Sequence, residues 1–493
     1  MSSGMDGKNE TVSGKNGLSR REFLKVAGVA GAAVGAGAGL GGVLAACGGT
    51  TTTTASTTAT TAGVSTTTAS TTATTAGSTT TASTSAETGR EVKLGFVTPT
   101  TGGLAAFGVP DGYCVTLAKE AYGDGIVCGD GLKHPVSIIV RDSQSDSNRA
   151  GQVAGDLIAN NKVDVMLVAS SPDTVVPVSA TAEAMGTPCL SCDCPWQGYV
   201  QARAAGNVNA VFKWTYHVFF GAEDSFDALM DLLNQIPTNK TLGLLYANDT
   251  DGNAVHDVEL PILKQGFKIV DGSGFSDGTE DFSSIISQFK KGGAEMGHGL
   301  LLPTDFVNFW KQAIQQSWVP KVSVWGKALL FPQSLEALGP IGHGLCADQW
   351  WGADWPYTSA LLNQNCRQFT DAYESKTNSQ WTQPVGHFML FEWAYDVLKR
   401  TTSVDDKNAI MTAVKGTKLQ TIIGPVDFTA PVEPAGPPWK AGPRHVVENV
   451  YKINHVIGQW VTGTKWPFDL VTVSNAGAPT IPIGAKLQPY SVS

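Results

Sequence analysis

Two short motifs near the start of the chain could direct chemistry on the chain itself. The run Ser19–Lys25 carries the pair Arg20 and Arg21 ahead of an apolar stretch, the pattern of a twin-arginine export signal. The run Leu44–Cys47 reads Leu-Ala-Ala-Cys, a lipobox whose cysteine thiol takes up a diacylglyceryl group before the peptide ahead of it is removed. The sequence therefore predicts export, lipidation at Cys47 and a mature chain tethered to the outer face of the cytoplasmic membrane.

The stretch between the two motifs, 26–46, is apolar and uncharged. It is long enough to cross a bilayer, for which roughly 20 apolar residues suffice. Seven of its residues are glycines, and each costs a helix roughly 1 kcal/mol relative to alanine. We therefore favour a removable signal peptide over 1–46, with an uncleaved anchor as the alternative, and either one leaves the rest of the chain outside.

Cysteine clusters could supply metal or redox chemistry. The segment Cys189–Cys194 carries three thiols, but no fourth zinc ligand stands at a recognisable spacing. Structural thiols are favoured there, with metal or redox work as the alternative. Seven cysteines follow Cys47, so at least one stays unpaired within a monomer. The compartment permits disulfides, and the pairs to test are Cys114–Cys128 and Cys346–Cys366, although sequence alone does not fix the connectivity.

Motifs for enzyme chemistry are absent from the sequence. It contains no His-Glu-x-x-His pair and no phosphate-binding loop. We expect no enzyme activity, no cofactor and no metal site. A structural role is favoured for histidines that lack ligand spacing, namely His217, His256, His298, His343 and His387.

Charge and composition further restrict the partners and the domain organisation that we expect. The net charge is −9 and no basic tract follows the signal, so nucleic acid is not expected as a partner. Residues 47–90 begin with the lipidated cysteine and continue as a repetitive Thr, Ser and Ala tract, which we interpret as a disordered spacer open to O-glycosylation. The remaining body of roughly 400 residues exceeds one compact core and predicts two lobes, with three as the alternative.

The elements that must position any site alternate between strands and helices. Apolar runs predict strands at Val92–Val97, Val136–Val140 and Val163–Val168, and apolar positions at helical spacing follow from Ala150 to Ile158. The pattern restarts with strands from Thr241 onwards. Such βαβ units build parallel sheets. We predict an α/β fold of two Rossmann-like lobes whose strand ends face each other across a cleft.

Several local motifs lie in a specific order along the body. They are Lys93–Val97 with Thr101–Gly108, Asp142–Asp146, Val163–Ser171, Gly266–Val270, Asp281–Ser283 and Gly424–Phe428. In this order they resemble the type I periplasmic solute-binding proteins of ABC transporters, in the branched-chain amino acid-binding branch. The resemblance implies a hinge that the chain crosses three times. The first lobe is then 91–214 with 347–427, and the second lobe is 215–346 with the return and tail at 428–493.

By position, the resemblance also implies ligand-binding residues in the cleft. They are Phe107, Ser170, Ser171, Asp193, Cys194, Trp196, Asp251, Pro303, Lys327 and Trp350. Phe107 is the aromatic residue against the ligand, and the serine pair holds a carboxylate. Pro195 departs from the pattern because it has no N–H to donate.

Lys327 is the departure with the largest consequence for the ligand. It lies nearest to the position where amino acid binders place a carboxylate, and a cation there attracts an acidic ligand. Hydroxylated or aromatic carboxylates therefore lead, branched-chain amino acids follow, and amides or urea stay open. Asp249, Asp251 or Asp305 remain alternatives for the acid. The tryptophans near the cleft, Trp196, Trp214, Trp325, Trp350 and Trp351, add aromatic surface for a flat or apolar ligand.

Three functions fit these observations to different degrees. The leading hypothesis is a lipid-anchored solute-binding protein that closes over a small organic ligand and presents it to an ABC permease. A surface protein of the same fold that senses a ligand and signals to a membrane receptor is the alternative. An exported enzyme on this scaffold ranks third.

Overall fold

The computed structural model describes residues 86–437 and 439–492. The predicted signal peptide, its Arg20 and Arg21, the lipidation site Cys47 and most of the spacer lie outside the described residues. Among the described helices, none combines the length and hydropathy that a bilayer crossing requires.

Most of the predicted strands form, with small shifts at their ends. The described residues contain twenty strands, numbered in chain order: β1 Val92–Thr98, β2 Ile126–Val127, β3 Lys133–His134, β4 Val136–Asp142, β5 Val165–Val168, β6 Cys189–Cys192, β7 Thr215–Val218, β8 Thr241–Tyr246, β9 Lys268–Asp271, β10 Met296–Leu301, β11 Val322–Lys327, β12 Cys346–Gln349, β13 Thr358–Ser359, β14 Gln364–Asn365, β15 Lys418–Thr421, β16 Gly424–Asp427, β17 His445–Val447, β18 Val450–Tyr451, β19 Val456–Thr462 and β20 Phe468–Ser474.

The helices include one over the predicted apolar stripe from Ala150 to Ile158. In the described part they are α1 Ala105–Gly108, α2 Asp111–Tyr122, α3 Ser147–Ala159, α4 Ser171–Ala184, α5 Trp196–Arg203, α6 Ala222–Gln235, α7 Thr250–Leu263, α8 Ser283–Gly292, α9 Pro303–Gln315, α10 Pro332–Leu338, α11 Cys366–Thr377, α12 Phe388–Arg400 and α13 Lys407–Lys415. Asp146 caps α3, because its side chain accepts a hydrogen bond from the Arg149 amide at 2.7 Å.

Two seven-stranded sheets organise the body. The first has the order β17–β18–β7–β6–β5–β1–β4, and the second has the order β20–β19–β12–β11–β10–β8–β9. Pairing is parallel except where β17 meets β18 and where β19 meets β12 and β20. The predicted α/β fold with two lobes and parallel sheets is confirmed.

The sheets correct the expected lobe boundaries. Thr215–Val218 pairs with β6 in the first sheet, so the first lobe continues past residue 214. Cys346–Gln349 pairs with β11 and β19, so the second sheet continues past residue 346. The third boundary moves furthest, because β18 is parallel to β7 and keeps the chain in the first sheet up to Tyr451. The return to the second sheet, called here the third crossing, is residues 452–455.

The cysteines correct a second expectation. All seven described cysteines are buried free thiols, so neither Cys114–Cys128 nor Cys346–Cys366 forms a disulfide. The thiols lie near backbone carbonyls instead; Cys114 Sγ is 3.5 Å from the oxygen of Val385, and Cys366 Sγ is 3.3 Å from that of Ile422. No cluster of three or more metal-binding side chains forms within the described part, and this includes Cys189–Cys194.

A buried ion cluster holds the third crossing in place. The Lys452 ammonium lies 2.6 Å from Glu223 Oε1 and 2.9 Å from Asp224 Oδ1, at the start of α6. The Trp196 indole, on the first-lobe helix α5, also donates to Glu223, at 3.0 Å. The Gln197 side chain donates to the same carboxylate. One cluster therefore joins α5, α6 and the third crossing.

Candidate ligand-binding cleft

Segments that follow strands of both sheets line one cavity of about 100 Å³. Phe107, Ser171 and Asp193 come from beyond β1, β5 and β6 of the first sheet. Asp251 follows β8 and Lys327 ends β11 of the second sheet. Both lobes thus bring the carboxyl ends of parallel strands to one place, which is where open α/β sheets bind ligands.

The first-lobe wall contains a strained polar turn. Ser170 and Ser171 have φ values of 80° and 67°, in the left-handed region, a conformation that costs a non-glycine residue on the order of 1–3 kcal/mol. The Ser171 amide donates to the Asp193 carbonyl at 2.8 Å, which ties the turn to the next loop. The Ser170 hydroxyl is buried and has no hydrogen-bond partner in the described part of the chain.

Behind this wall lies a fully buried histidine between two carboxylates. His387 Nδ1 is 2.8 Å from Asp111 Oδ1, and its Nε2 is 3.0 Å from Asp193 Oδ2. Burial opposes the imidazolium, but the two carboxylates outweigh it and raise the pKa of His387 to about 9. The ring also stacks on Trp350, which lines the cavity. The His387 imidazolium therefore holds Asp193 in place in the first-lobe wall of the cleft.

The second-lobe wall centres on an ion-paired lysine. Lys327 Nζ is 2.8 Å from Asp251 Oδ2 and 3.2 Å from Asp249 Oδ2, and its side chain is 6 % exposed. Burial alone would lower the pKa of Lys327, but these carboxylates more than compensate and the pKa is raised. Lys327 therefore stays charged and is already neutralised, which corrects the expectation of a free cation that attracts an acidic ligand.

Two further carboxylate–histidine pairs complete the cavity wall. Glu259 Oε2 lies 2.9 Å from His298 Nε2 and accepts a hydrogen bond from the Tyr246 hydroxyl. Asp348 Oδ1 lies 3.0 Å from His455 Nε2. Burial acts to raise the pKa of Asp348, but the hydrogen bond from His455 and its charge outweigh it and keep that pKa below its usual value.

Six of the ten predicted site residues line this cavity: Phe107, Ser171, Asp193, Asp251, Lys327 and Trp350. The other four lie elsewhere. Ser170 is buried beside Ser171, Cys194 is a buried thiol, and Pro303 begins α9. Trp196 lines an adjoining pocket of about 420 Å³ that shares Pro195 and Asp251 with the cavity. A contact of any of the ten with ligand remains a prediction.

The tryptophans divide between the cleft and the core. Trp325 and Trp351 are fully buried. Trp325 packs edge-on against Phe309 at a centroid distance of 5.4 Å and supports the second sheet. Aromatic wall residues that the sequence analysis missed are Phe219, Phe220 and Tyr246. The first two directly follow β7, so the strand-end rule could have found them.

Comparison with known proteins agrees with this architecture. A family model described as periplasmic binding protein matches residues 91–439. A twin-arginine translocation signal model matches residues 17–37, which contain Arg20 and Arg21, and this confirms the predicted export signal. The Leu/Ile/Val-binding protein homolog 8 of Brucella abortus is 25 % identical over 300 residues, which are 59 % of this chain and 71 % of that protein.

Solved structures share the fold at low sequence identity. The branched-chain amino acid transporter substrate-binding protein LivJ from Streptococcus pneumoniae, in complex with isoleucine, has a TM-score of 0.62 at 15 % identity and covers 78 % of this chain and 99 % of its own. An ABC transporter solute-binding protein from Rhodopseudomonas palustris, in complex with 3,4-dihydroxybenzoic acid, has a TM-score of 0.60 at 15 % identity and covers 80 % and 98 %.

Proposed function

Since this chain belongs to the periplasmic binding protein family, we propose that it is a lipid-anchored protein that captures a small organic ligand between its lobes for an ABC importer. The observation that carries the proposal is the cavity to which both sheets contribute strand ends. A ligand that touches both lobes stabilises the closed form over the open one, and a permease can then distinguish loaded from empty protein.

The wall chemistry favours an amino acid-like or aromatic carboxylate. Ser171 and the amides at the start of α4 suit a ligand carboxylate. Asp251 and Asp249 hold Lys327 and can also accept from a ligand ammonium or hydroxyl. The rings of Phe107, Phe219, Phe220, Tyr246 and Trp350 suit an apolar or flat ligand body.

A thermal-shift panel tests the uptake proposal. The purified chain is stripped of co-purified ligand and then melted with amino acids, aromatic and aliphatic carboxylates, amides and urea. The panel includes isoleucine and 3,4-dihydroxybenzoate, which two structural neighbours bind. A ligand at 100 times its Kd stabilises the protein by about 2.7 kcal/mol. If no compound in the panel raises the melting temperature, the proposal is contradicted for small organic acids and amino acids.

The lipid anchor needs its own test, and Cys47 carries it. Cys47→Ser removes the only thiol in the predicted lipobox, so we expect loss of radiolabelled palmitate incorporation and release of the protein from the membrane fraction. Cys128→Ser is the matched control, since that thiol belongs to the folded body. Continued labelling of the Cys47 variant would exclude lipidation at this position.

A further inference from the structure

A second cavity, called here the hinge pocket, lies beside the third crossing. Its volume is about 530 Å³, and it shares no lining residue with the cleft cavity. Four separate segments build it: the chain before β13, the β15–β16 hairpin, the chain from Arg444 to Asn454, and Thr480 near the C-terminus. The pocket is therefore a product of the tertiary fold and independent of the proposed uptake function.

Arg444 gives the pocket a cationic group with spare donors. Its Nη1 donates to the Ile453 carbonyl at 2.5 Å, and its side chain has no other hydrogen bond to a described residue. No carboxylate in the described part lies within salt-bridge distance of it. A guanidinium has five N–H donors and pairs with carboxylates through two parallel hydrogen bonds. Arg444 can thus receive a carboxylate without breaking an existing ion pair.

Asn454 provides the second observation. Its Nδ2 donates to the Tyr357 hydroxyl and, at 3.3 Å, to Thr480 Oγ1. Its Oδ1 is buried and has no hydrogen-bond partner among the described residues. Buried polar atoms are nearly always paired, so this oxygen calls for a donor. The Tyr357 hydroxyl accepts from Asn454, which leaves its own proton to donate.

The other residues that line the hinge pocket restrict the class of ligand that it can bind. The pocket contains no Asp or Glu among its lining residues, so an ammonium group would find no countercharge there. A hydroxyl needs only the neutral acceptor that Asn454 offers. Apolar contact is available from Ile423, Pro425 and Ile453.

We propose that the hinge pocket is a second ligand site, which binds a small hydroxy-carboxylate. Arg444 and the Tyr357 hydroxyl hold its carboxylate, and Asn454 Oδ1 accepts from its hydroxyl. Because Asn454 belongs to the third crossing, the occupant contacts the segment that joins the lobes.

Calorimetric titration of the full chain in mild detergent tests this site, with L-lactate as the probe. Propionate lacks the hydroxyl and lactamide lacks the charge, so both should bind more weakly than lactate. Arg444→Met should weaken lactate binding at least about tenfold, since it removes a charge-assisted pair. Tyr357→Phe keeps the ring, removes one donor and should also weaken binding, which covers the case that Arg444→Met fails to fold.

Ser171→Ala, in the cleft, separates the two sites, because Ser171 lines the cleft cavity and not the hinge pocket. Lactate affinity that falls in the Arg444 and Tyr357 variants and persists in the Ser171 variant supports the hinge pocket. Affinity that falls only in the Ser171 variant places lactate in the cleft and overturns the proposal. Absence of binding at millimolar lactate also overturns it, while a cleft ligand found in the thermal-shift panel would leave the uptake function standing.

Discussion

Lys327 illustrates how one residue takes its role from its partners. Lys327→Met leaves Asp249 and Asp251 close together in a buried wall without their cation, and loss of one partner of a buried pair costs about 3–5 kcal/mol. We expect the free energy of unfolding, measured by urea denaturation, to fall by that order. The matched control is Lys321→Met, which breaks the exposed pair with Glu295 and should cost about 0–1 kcal/mol. Equal losses in the two variants would contradict the buried-pair interpretation.

His387 makes stability depend on pH in a defined direction. Its pKa is about 9 in the folded protein against an ordinary value of 6.5, so the native state binds the proton more tightly. The stabilisation, on the order of 3 kcal/mol, is complete below pH 6.5 and is lost as pH rises through 9.

Urea denaturation across this pH range checks the effect of His387. We expect His387→Gln to flatten the decline in unfolding free energy between pH 6.5 and 9, while His343→Gln, at a partly exposed position, keeps it. A decline of the same steepness in the His387 variant would show that another group is responsible.

The site could be predicted from sequence only where residues follow recognisable strands. Ser171, Asp193 and Lys327, which the family resemblance implied by position, line the cavity at such strand ends. Glu259 lies in the middle of helix α7 and His298 lies within β10, so no strand-end signal marks either. Which carboxylate neutralises Lys327 depends on contact between the start of α7 and the end of β11, and sequence spacing does not encode that contact.

At the scale of elements, β10 shows how close two strands can approach. A Cβ at Gly299 would lie 1.9 Å from the Leu245 carbonyl oxygen of neighbouring β8, so the backbone would have to shift. Gly299→Ala should destabilise the protein by about 1–3 kcal/mol.

The matched control for Gly299 lies in helix α2. Gly112 has open space around its Cβ position, and Gly112→Ala should stabilise by up to about 1 kcal/mol. Thermal melts of the two variants check the pair. A Gly299→Ala protein as stable as the Gly112→Ala protein would contradict the close approach.

The same strand explains where the sequence interpretation fell short. Gly297, His298 and Gly299 weaken the apolar signal in the first part of β10, so sequence periodicity marks this strand poorly. The third lobe boundary failed for a related reason. Its strands β17 and β18 have three and two residues, which is too short for a periodic signal, and only pairing with β7 reveals them.

At the scale of the whole molecule, Lys452 joins segments from both lobes. Its ammonium is fully buried between Glu223 and Asp224. Lys452→Met should lower the unfolding free energy by about 3–5 kcal/mol, because it leaves two buried carboxylates without a countercharge. The additional change Glu223→Gln should recover part of this loss. The control Lys376→Met, from an exposed pair with Glu120, should change stability by no more than about 1 kcal/mol.

The seven buried thiols are protected from oxidation only once the chain has folded. The thiolate is the form that forms disulfides, and burial raises the pKa of Cys189 and of Cys366 to about 12. An unfolded chain lacks this protection and would meet an oxidising exterior with every thiol open to mispairing. We therefore expect the chain to finish folding in the reducing cytoplasm, before its twin-arginine signal directs it across the membrane.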